Sequence, residues 1–391
     1  MNILFAHDHK LRFIDGKYYT QGGLADNVTK RYTDWFGHMT LLCRAISKQS
    51  YDKNLFEITN PNVYVKALHS NRLFFKLEDK KHIEQAVINS DAVIIRVPSF
   101  ISIETYKYAK KYCKPIFAEV VACPWDSYWN HGIKGKFVAP YMVKMLKNIV
   151  KGCDYVLYVT NEFLQQRYPT KAIQIGCSDV ELNIIDNNIL NKRLDKIKEY
   201  DCKNFVIGTL ASVDTRYKGQ QFVIQAISIL KKKGITVKYK LGGGGSQDYL
   251  KRVAEKFGVG ELVEFEGVIS HSDVFKWVDA LDLYIQPSLQ EGLPRALIEV
   301  MSRACPAVGF ITGGIPELIN EDCLIRRKDV RGIASLLEKI DTNFLTRNAQ
   351  KNYTKSRRYQ KERLDSERTC FYSQFKTFVE NKIYDTHGKN S

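Results

Sequence analysis

Short apolar runs alternate with amphipathic stretches along the chain. In its first half the apolar runs are rich in Val and Ile and are apolar on both faces, as strands of a helix-covered parallel sheet are. The stretches between them, such as 106–112 and 141–150, carry charges on one side of a helix. This alternation predicts an α/β doubly wound domain. The predicted strands are 2–6, 92–97, 115–121 and 154–159.

A second series of the same kind follows a polar, charged stretch at 186–204, which predicts a linker. We therefore predict two domains, 1–198 and 199–370, with ligands bound at the carboxyl ends of the strands. The predicted strands of the second series are 205–208, 236–241, 262–265, 283–286 and 306–310, and its predicted helices are 219–232, 247–257, 271–280 and 295–303.

The two ends of the chain carry further patterns. The first residues lack a basic segment and have only a short apolar run, so they predict a strand rather than a signal peptide. Near the other end, Phe371, Phe375, Phe378 and Val379 recur at helical spacing in a basic segment. That segment is either a solvated terminal helix or a crossover helix, 371–391, that packs on the first domain.

Composition narrows the class of protein. The 391 residues suffice for two domains. Nine cysteines without a C-x-x-C pair are typical of a reducing compartment, and no apolar run approaches ~18 residues, so we expect a cytoplasmic protein. The net charge of +16 fits nucleic acid, an anionic lipid surface or phosphorylated substrates. Nucleic acid is disfavoured because no motif of a nucleic-acid-binding fold accompanies the charge.

The segment 287–299 carries the strongest chemical signal. It reads Pro-Ser-Leu-Gln-Glu-Gly-Leu-Pro-Arg-Ala-Leu-Ile-Glu, with Glu291 and Glu299 eight positions apart. Pro294 suits a first helical turn, and the free N–H groups of a helix start can bind a diphosphate. A carboxylate further along the helix can accept hydrogen bonds from ribose hydroxyls. A bare pair of glutamates would more often be surface charges, but the enclosed Gly-Leu-Pro and the Gly-Gly-Ile-Pro-Glu downstream favour a binding site.

These residues make the chain similar to the family 4 retaining glycosyltransferases, in particular the bacterial capsular and cell-surface polysaccharide branch. The similarity is strongest over 205–320 and weaker over 1–180. It implies the GT-B fold, in which two Rossmann-like domains face each other across a cleft and a C-terminal helix crosses back. It also implies a nucleotide-diphosphate sugar donor, expected to be a UDP-sugar, and no metal or other cofactor.

The resemblance assigns roles to the residues of this segment. Glu291 would contact the hydroxyls of the donor sugar and Glu299 the ribose, while the backbone of Gly292 and Leu293 would face the sugar and the phosphates. A second segment, Lys218-Gly219, opens a helix after a strand and can place an ammonium group against the departing diphosphate. An ordinary surface lysine is the alternative.

One position departs from the family pattern. The family has an arginine where this chain has Thr209, and that arginine partners the lysine. Arg216 is the nearest cation that could compensate.

Three glycine-containing loops are further candidates. Gly23, in Gly22-Gly23 after the first strand, resembles the glycine that contacts the donor phosphate. The run 242–245, represented by Gly242 and Gly244, is expected to pass the nucleotide, although a simple turn explains it almost as well. Val268 follows Gly267 in a segment that resembles the one that reads the nucleobase.

A general base is sought among first-domain residues near strand ends, namely Asp8, Glu119, Asp126 and His131. Glu119 and Asp126 are the leading candidates because they occupy the region where many family members have a histidine; a buried, hydrogen-bonded acid is the alternative for each. The run His7-Asp8-His9 is not interpreted as a metal site, since its spacing is short and no Asp-x-Asp motif occurs in the chain.

The segment 134–152 contains five lysines and no acid, interleaved with apolar residues. Such a helix either docks on anionic lipid or is a core helix with a solvated lysine face. With the resemblance, this predicts sugar transfer to a saccharide or lipid-linked saccharide, peripheral at the inner face of the membrane. Two alternatives stay open: a nucleotide-sugar 2-epimerase, and a degenerate sugar-nucleotide-binding subunit.

Overall fold

The computed structural model describes residues 1–47, 55–68, 75–129, 132–183, 186, 188–270 and 272–387. The chain divides into two compact units, Met1–Cys177 with Ser366–Ser391, and Ser178–Asp365. The sequence had placed these boundaries later, after 198 and after 370.

The first unit is built on a largely parallel sheet. Its parallel strands run in the order β5-β3-β1-β6-β7-β8-β9. β1 lies inside the sheet between β3 and β6, and Ile3, Leu4 and Phe5 in it are fully buried, which explains why the run is apolar on both faces. The far end of β1 pairs antiparallel with β2, and β2 with β4. The strands are β1 (Asn2–Ile14), β2 (Lys17–Thr20), β3 (His38–Ser47), β4 (Phe56–Glu57), β5 (Val63–Leu68), β6 (Ala92–Val97), β7 (Ile116–Val120), β8 (Tyr155–Tyr158) and β9 (Ile173–Gly176).

Helices cover this sheet and supply the rest of its core. The predicted helix 141–150 is the second half of a longer helix that begins at Gly132. Pro140 lies exposed inside this helix and does not end it. The helices are α1 (Asp26–Phe36), α2 (Leu77–Ile88), α3 (Phe100–Lys111), α4 (Pro124–Trp129), α5 (Gly132–Gly152) and α6 (Phe163–Arg167).

The second unit contains a fully parallel sheet in the order β12-β11-β10-β13-β14-β15. The direction of winding reverses between β10 and β13. In open α/β sheets, ligands bind outside the carboxyl ends of the strands at such a switch point. The strands are β10 (Asn204–Leu210), β11 (Thr236–Gly242), β12 (Val263–Gly267), β13 (Leu283–Gln286), β14 (Ala307–Phe310) and β15 (Leu324–Ile325).

The predicted linker at 186–204 is wrong in its central part, which is helix α7 (Asn188–Lys198) of the second unit. Its buried residues Ile189, Arg193 and Ile197 recur every four positions and form one face. The other helices of the unit are α8 (Gln220–Lys232), α9 (Asp248–Lys256), α10 (Val274–Ala280), α11 (Arg295–Ser302), α12 (Ile315–Leu318), α13 (Val330–Glu338) and α14 (Thr342–Ser356).

The last helix, α15 (Lys361–His387), passes from the second unit into the first. Phe371 and Phe375 on it are buried, and both rings pack against Phe117 of β7 and Tyr155 of β8. The segment is therefore the crossover helix and not a solvated one. None of the described helices combines the length and the apolarity needed to cross a bilayer.

Candidate active site

Three loops of the second unit meet at the carboxyl ends of β10, β13 and β14. The amide of Leu289 donates to the carbonyl of Tyr217 at 2.7 Å, and the amide of Gly314 donates to the carbonyl of Gly292 at 2.7 Å. Gly219 makes this approach possible: its φ is +80°, and a Cβ there would lie 1.9 Å from the carbonyl oxygen of Pro287. The glycine of Lys218-Gly219 is therefore required by the packing of the two loops.

Lys218 and Glu291 form an ion pair at this junction. The ammonium of Lys218 lies 2.7 Å from Oε1 of Glu291, although the residues are 73 positions apart in the chain. Their side chains are 22% and 10% exposed. The structure thus brings together the two residues that the sequence had assigned to the diphosphate and to the donor sugar.

Glu291 has a second partner that the sequence did not single out. Nε2 of Gln286 donates to the same Oε1 at 3.1 Å, and it also donates to Oγ of Ser288 at 2.9 Å. Oε1 of Gln286 in turn accepts from the hydroxyl of Tyr284 at 2.7 Å. A buried chain of hydrogen bonds therefore runs from β13 to the carboxylate of Glu291.

The remaining residues of the motif lie in the same loop and in the helix that follows it. Gly292 carries the carbonyl that accepts from the 312–314 loop, and Leu293 and Glu299 are part-buried, Glu299 in the second turn of α11. Burial raises the pKa of the Tyr284 phenol well above its ordinary value, and the charges of Glu291 and Glu299 raise it further. Tyr284 therefore stays protonated, and both glutamates lie close enough to act on it.

Thr209, at the position of the family arginine, belongs to the core. It is 1% exposed; its hydroxyl donates to the carbonyl of Ile285 at 2.7 Å and lies 2.7 Å from the hydroxyl of Tyr239. Arg216 places its guanidinium 4.5 Å from the centre of the Tyr249 ring, in a cation–π contact. Arg216 and Lys218 thus have different partners in this structure.

The glycine loop after β11 lies beside Val268, which is 82% exposed. A Cβ on Gly244 would lie 3.0 Å from a methyl group of Val268. The carbonyl of Gly242 accepts from the amide of Ala211, and that of Gly244 accepts from Val213. The structure therefore brings the predicted nucleotide loop and the predicted base-reading residue together.

In the first unit, Gly23 lies against a histidine. A Cβ on Gly23 would lie 3.1 Å from Cε1 of His9, whose Nε2 is 2.9 Å from the hydroxyl of Thr20. His7 lies beside His9, with the ring centres 6.4 Å apart. Burial, together with the positive charge of Arg96, lowers the pKa of His7 to about 3, so this imidazole is neutral near pH 7.

Glu119 is held in a buried network. One carboxylate oxygen accepts from the hydroxyls of Tyr32 at 2.8 Å and Tyr372 at 3.2 Å, and the other accepts from Arg96 at 2.9 Å. The side chain is 3% exposed. This carboxylate joins α1, β6 and α15, which is the buried, hydrogen-bonded alternative that the sequence had left open.

The other candidate bases have distinct surroundings. Asp126, in α4, pairs with Arg167 at 3.4 Å. Asp8 pairs with Arg44 at 2.7 Å and accepts from the amide of Phe100. His131 lies outside the described residues. Within the described ranges, no group of three or more His, Cys, Asp or Glu side chains is arranged to hold a metal ion.

Comparisons with known proteins agree with this geometry. Residues 204–343 match the family model described as glycosyl transferases group 1. The chain is 30% identical over 409 residues to the protein CapJ of Staphylococcus aureus, a match that covers 100% of this chain and 99% of CapJ. The chain is a group 1 glycosyltransferase.

Two further comparisons characterise this glycosyltransferase. It is 31% identical over 144 residues to the putative colanic acid biosynthesis glycosyltransferase WcaL of Escherichia coli K12, over 34% of this chain and 36% of WcaL. A structure of Anabaena HepE in complex with UDP has the same fold, with a TM-score of 0.64 at 15% identity over 97% of this chain and 100% of HepE. The predicted fold class, GT-B with a C-terminal helix, and the predicted transferase activity are confirmed.

Helix α5 of the glycosyltransferase presents two faces. Ala139, Met142 and Leu146 are buried against the first unit. On the opposite side Ile133 and Phe137 are 76% and 79% exposed, and Tyr141 follows them four positions later. With 3.6 residues per turn these three form one apolar stripe. The exposed lysines that flank or continue it are Lys134, Lys136, Lys144, Lys147 and Lys151.

The contribution of Gln286 to the site was not foreseen. The sequence did contain a signal, because Tyr284, Gln286 and Ser288 alternate on one face of the strand end that precedes Glu291. Polar side chains at alternate positions of a strand that is otherwise fully buried need hydrogen-bond partners. Glu291 is such a partner.

Proposed function

We propose that this glycosyltransferase transfers a sugar, with retention of anomeric configuration and without a metal, from a nucleotide-diphosphate sugar to a saccharide or lipid-linked saccharide. The reaction would belong to cell-surface polysaccharide synthesis at the cytoplasmic face of the membrane. The colanic acid relative supports this pathway class.

The Lys218–Glu291 pair is the observation that carries the proposal. A cation and a carboxylate 2.7 Å apart, at the switch point of the sheet, provide one group for a diphosphate and one for sugar hydroxyls. Stabilising the charge that develops on the leaving diphosphate would be the main catalytic contribution of Lys218.

We further propose a UDP-sugar as the donor. HepE, which shares the fold, has been solved with UDP, and Val268, the residue that would face the nucleobase, is exposed beside Gly244. A thermal-shift screen of UDP-, GDP- and ADP-sugars tests this. A bound donor at about 100 times its Kd should add roughly 2.7 kcal/mol of stability. Stabilisation by GDP- or ADP-sugars alone would contradict the choice of UDP.

Thr209 is the observation that favours a second candidate, a subunit that binds the donor without turning it over. A threonine buried in the core supplies no charge to the leaving group. Product analysis of the purified protein with its best-binding donor and lipid-linked acceptors separates the two: transfer supports the enzyme, and tight binding without transfer to any acceptor supports the subunit.

The exposed face of α5 supports an anionic membrane surface as partner. Its apolar stripe, Ile133, Phe137 and Tyr141, is of the kind that inserts at the headgroup boundary, and its lysines suit anionic lipid. A lipid-linked acceptor would then be presented at the same surface.

A further inference from the structure

Gln286 is a buried amide whose orientation is fixed by its neighbours. The amide of Leu210 donates to the hydroxyl oxygen of Tyr284 at 3.3 Å, so the hydroxyl hydrogen of Tyr284 is directed to Oε1 of Gln286. The Nε2 group must then point the other way, and its two hydrogens serve Ser288 and Glu291. Gln286 is 2% exposed, so water does not compete for these bonds.

The carboxylate of Glu291 is held on one side only. Lys218 and Gln286 both contact Oε1, and among the described residues none donates a hydrogen bond to Oε2. An oxygen with unused acceptor capacity at the helix mouth is suited to a hydroxyl of a bound sugar. Lys218 and Gln286 hold Oε1 and thereby set the direction in which Oε2 points.

Binding of the nucleotide sugar would affect the hydrogen bonds of Lys218 and Gln286 to Glu291 differently. The ammonium of Lys218 is attracted to a diphosphate, and as it moves to the diphosphate its contact with Glu291 weakens. The amide of Gln286 is neutral, buried and tied to β13 through Tyr284, so it keeps its bond to Glu291.

We infer that Gln286 is a positioning residue for the donor sugar: it holds the carboxylate of Glu291 toward the sugar hydroxyls when Lys218 turns to the diphosphate. This rests on the proposed function of Glu291. It predicts that Gln286 matters for the sugar part of the donor and not for the nucleoside diphosphate part.

The test compares two ligands on one variant. Gln286→Met keeps the length of the side chain and removes its hydrogen bonds. The probes are UDP and whichever of UDP-glucose, UDP-galactose and UDP-N-acetylglucosamine stabilises the wild-type protein most. We expect the Kd for the UDP-sugar to rise about tenfold, as for the loss of a hydrogen bond to a charged group. The Kd for UDP should stay within about twofold.

A matched control removes another buried amide of the same unit. Asn348 is 2% exposed and bonds to both backbone groups of Ala307. Asn348→Leu should lower thermal stability and leave the ratio of the two affinities unchanged. Equal losses of UDP and UDP-sugar affinity in Gln286→Met, or no loss of either, would overturn the inference.

Two more variants keep the outcome decisive. If Gln286→Met fails to fold, Tyr284→Phe removes only the hydroxyl that orients the amide and should shift the same ratio in the same direction. Glu291→Gln separates this inference from the proposed function. If Glu291→Gln changes the ratio and neither other variant does, the role of Gln286 is wrong; if Glu291→Gln does not change it either, the role of Glu291 itself is wrong.

Discussion

At the scale of single residues, Lys218 and Glu291 are paired with each other, and a bound nucleotide sugar would replace that pairing with contacts of its own. Replacing either residue should therefore affect transfer far more than folding. We predict that Glu291→Gln and Lys218→Ala each lower kcat/KM by about 10- to 100-fold, the loss expected for one charge-assisted hydrogen bond. Both variants should still fold, because neither side chain is fully buried and each keeps some contact with solvent.

Lys276→Ala, a change at an exposed lysine of the same unit, is the matched control and should behave as wild type. Steady-state kinetics with the donor found in the screen provide the measurement. A Glu291 or Lys218 variant with wild-type turnover would remove that residue from the mechanism.

The burial of His7 predicts how the free energy of unfolding depends on pH. Its folded pKa, about 3, lies below its ordinary value of 6.5, so the unfolded chain binds the proton more readily. The neutral, buried His7 therefore contributes fully to the free energy of unfolding above about pH 6.5, and this contribution is lost progressively as the pH falls toward 3. The free energy of unfolding of the wild type should therefore fall between pH 7.5 and 5.5 by about 1 kcal/mol more than that of His7→Gln. Parallel pH dependences in denaturant titrations would show that His7 is protonated without penalty.

Single residues also show what the sequence could and could not predict about the site. The sequence could single out Lys218, Gly219 and Glu291 as candidates because their motifs contain turn and helix-start residues, each of which has a local physical reason. Glu119 shows the limit, because its partners Tyr32 and Tyr372 are 87 and 253 positions away. Only the packing of α1 and α15 reveals that its carboxylate accepts hydrogen bonds from these two tyrosines.

At the scale of elements, β6 to β8 and β10 to β14 were predicted to within two residues at each end, whereas β3 and β5 were not predicted and α7 was mistaken for a linker. Charged residues hide its buried face, and one member of that face is Arg193. Its guanidinium donates to the carbonyls of Leu281 at 2.6 Å and Val278 at 3.0 Å, at the end of α10. A buried arginine becomes understandable only when those carbonyls are in place to receive it.

This arrangement predicts that α7 stabilises the second unit. Arg193→Met should lower the free energy of unfolding by about 1–3 kcal/mol, since it removes the side-chain donor to the carbonyl of Val278 and one of two side-chain donors to that of Leu281, the other being Lys196 at 2.8 Å. Lys192→Met, at the exposed neighbouring position of the same helix, should change it by less than about 0.5 kcal/mol. Urea titration of both variants is the measurement. A negligible effect of Arg193→Met would contradict the stabilising role of α7.

At the scale of the whole molecule, the charge of a diphosphate has to be balanced by the protein if no metal does so. The chain has no Asp-x-Asp motif, and it offers Lys218 and the N–H groups of helix starts instead. We predict that transfer continues at an unchanged rate in excess EDTA. Activity that is lost on chelation and restored by added magnesium or manganese would contradict this.

The net charge of +16 raises the question whether membrane attraction is diffuse or local. A diffuse charge would bind anionic vesicles through any face, whereas the face of α5 places Lys144, Lys147 and Lys151 beside an apolar stripe. Each cation near an anionic surface contributes on the order of 1 kcal/mol, and the attraction weakens as salt shortens the screening length. Replacing these three lysines with glutamine should therefore reduce binding to phosphatidylserine-containing vesicles by about 100-fold at physiological salt.

The matched control for this prediction removes the same charge elsewhere. Lys203, Lys232 and Lys238 are exposed lysines of the second unit, and their replacement with glutamine should change vesicle binding only slightly. Phe137→Ser tests the apolar contribution, which salt does not screen. It removes the most exposed apolar side chain of the stripe and leaves the charge unchanged. Co-sedimentation at several salt concentrations compares all three variants. Equal losses from the two lysine triples, with no effect of Phe137→Ser, would mean that the charge acts as a whole and that α5 is not a docking helix.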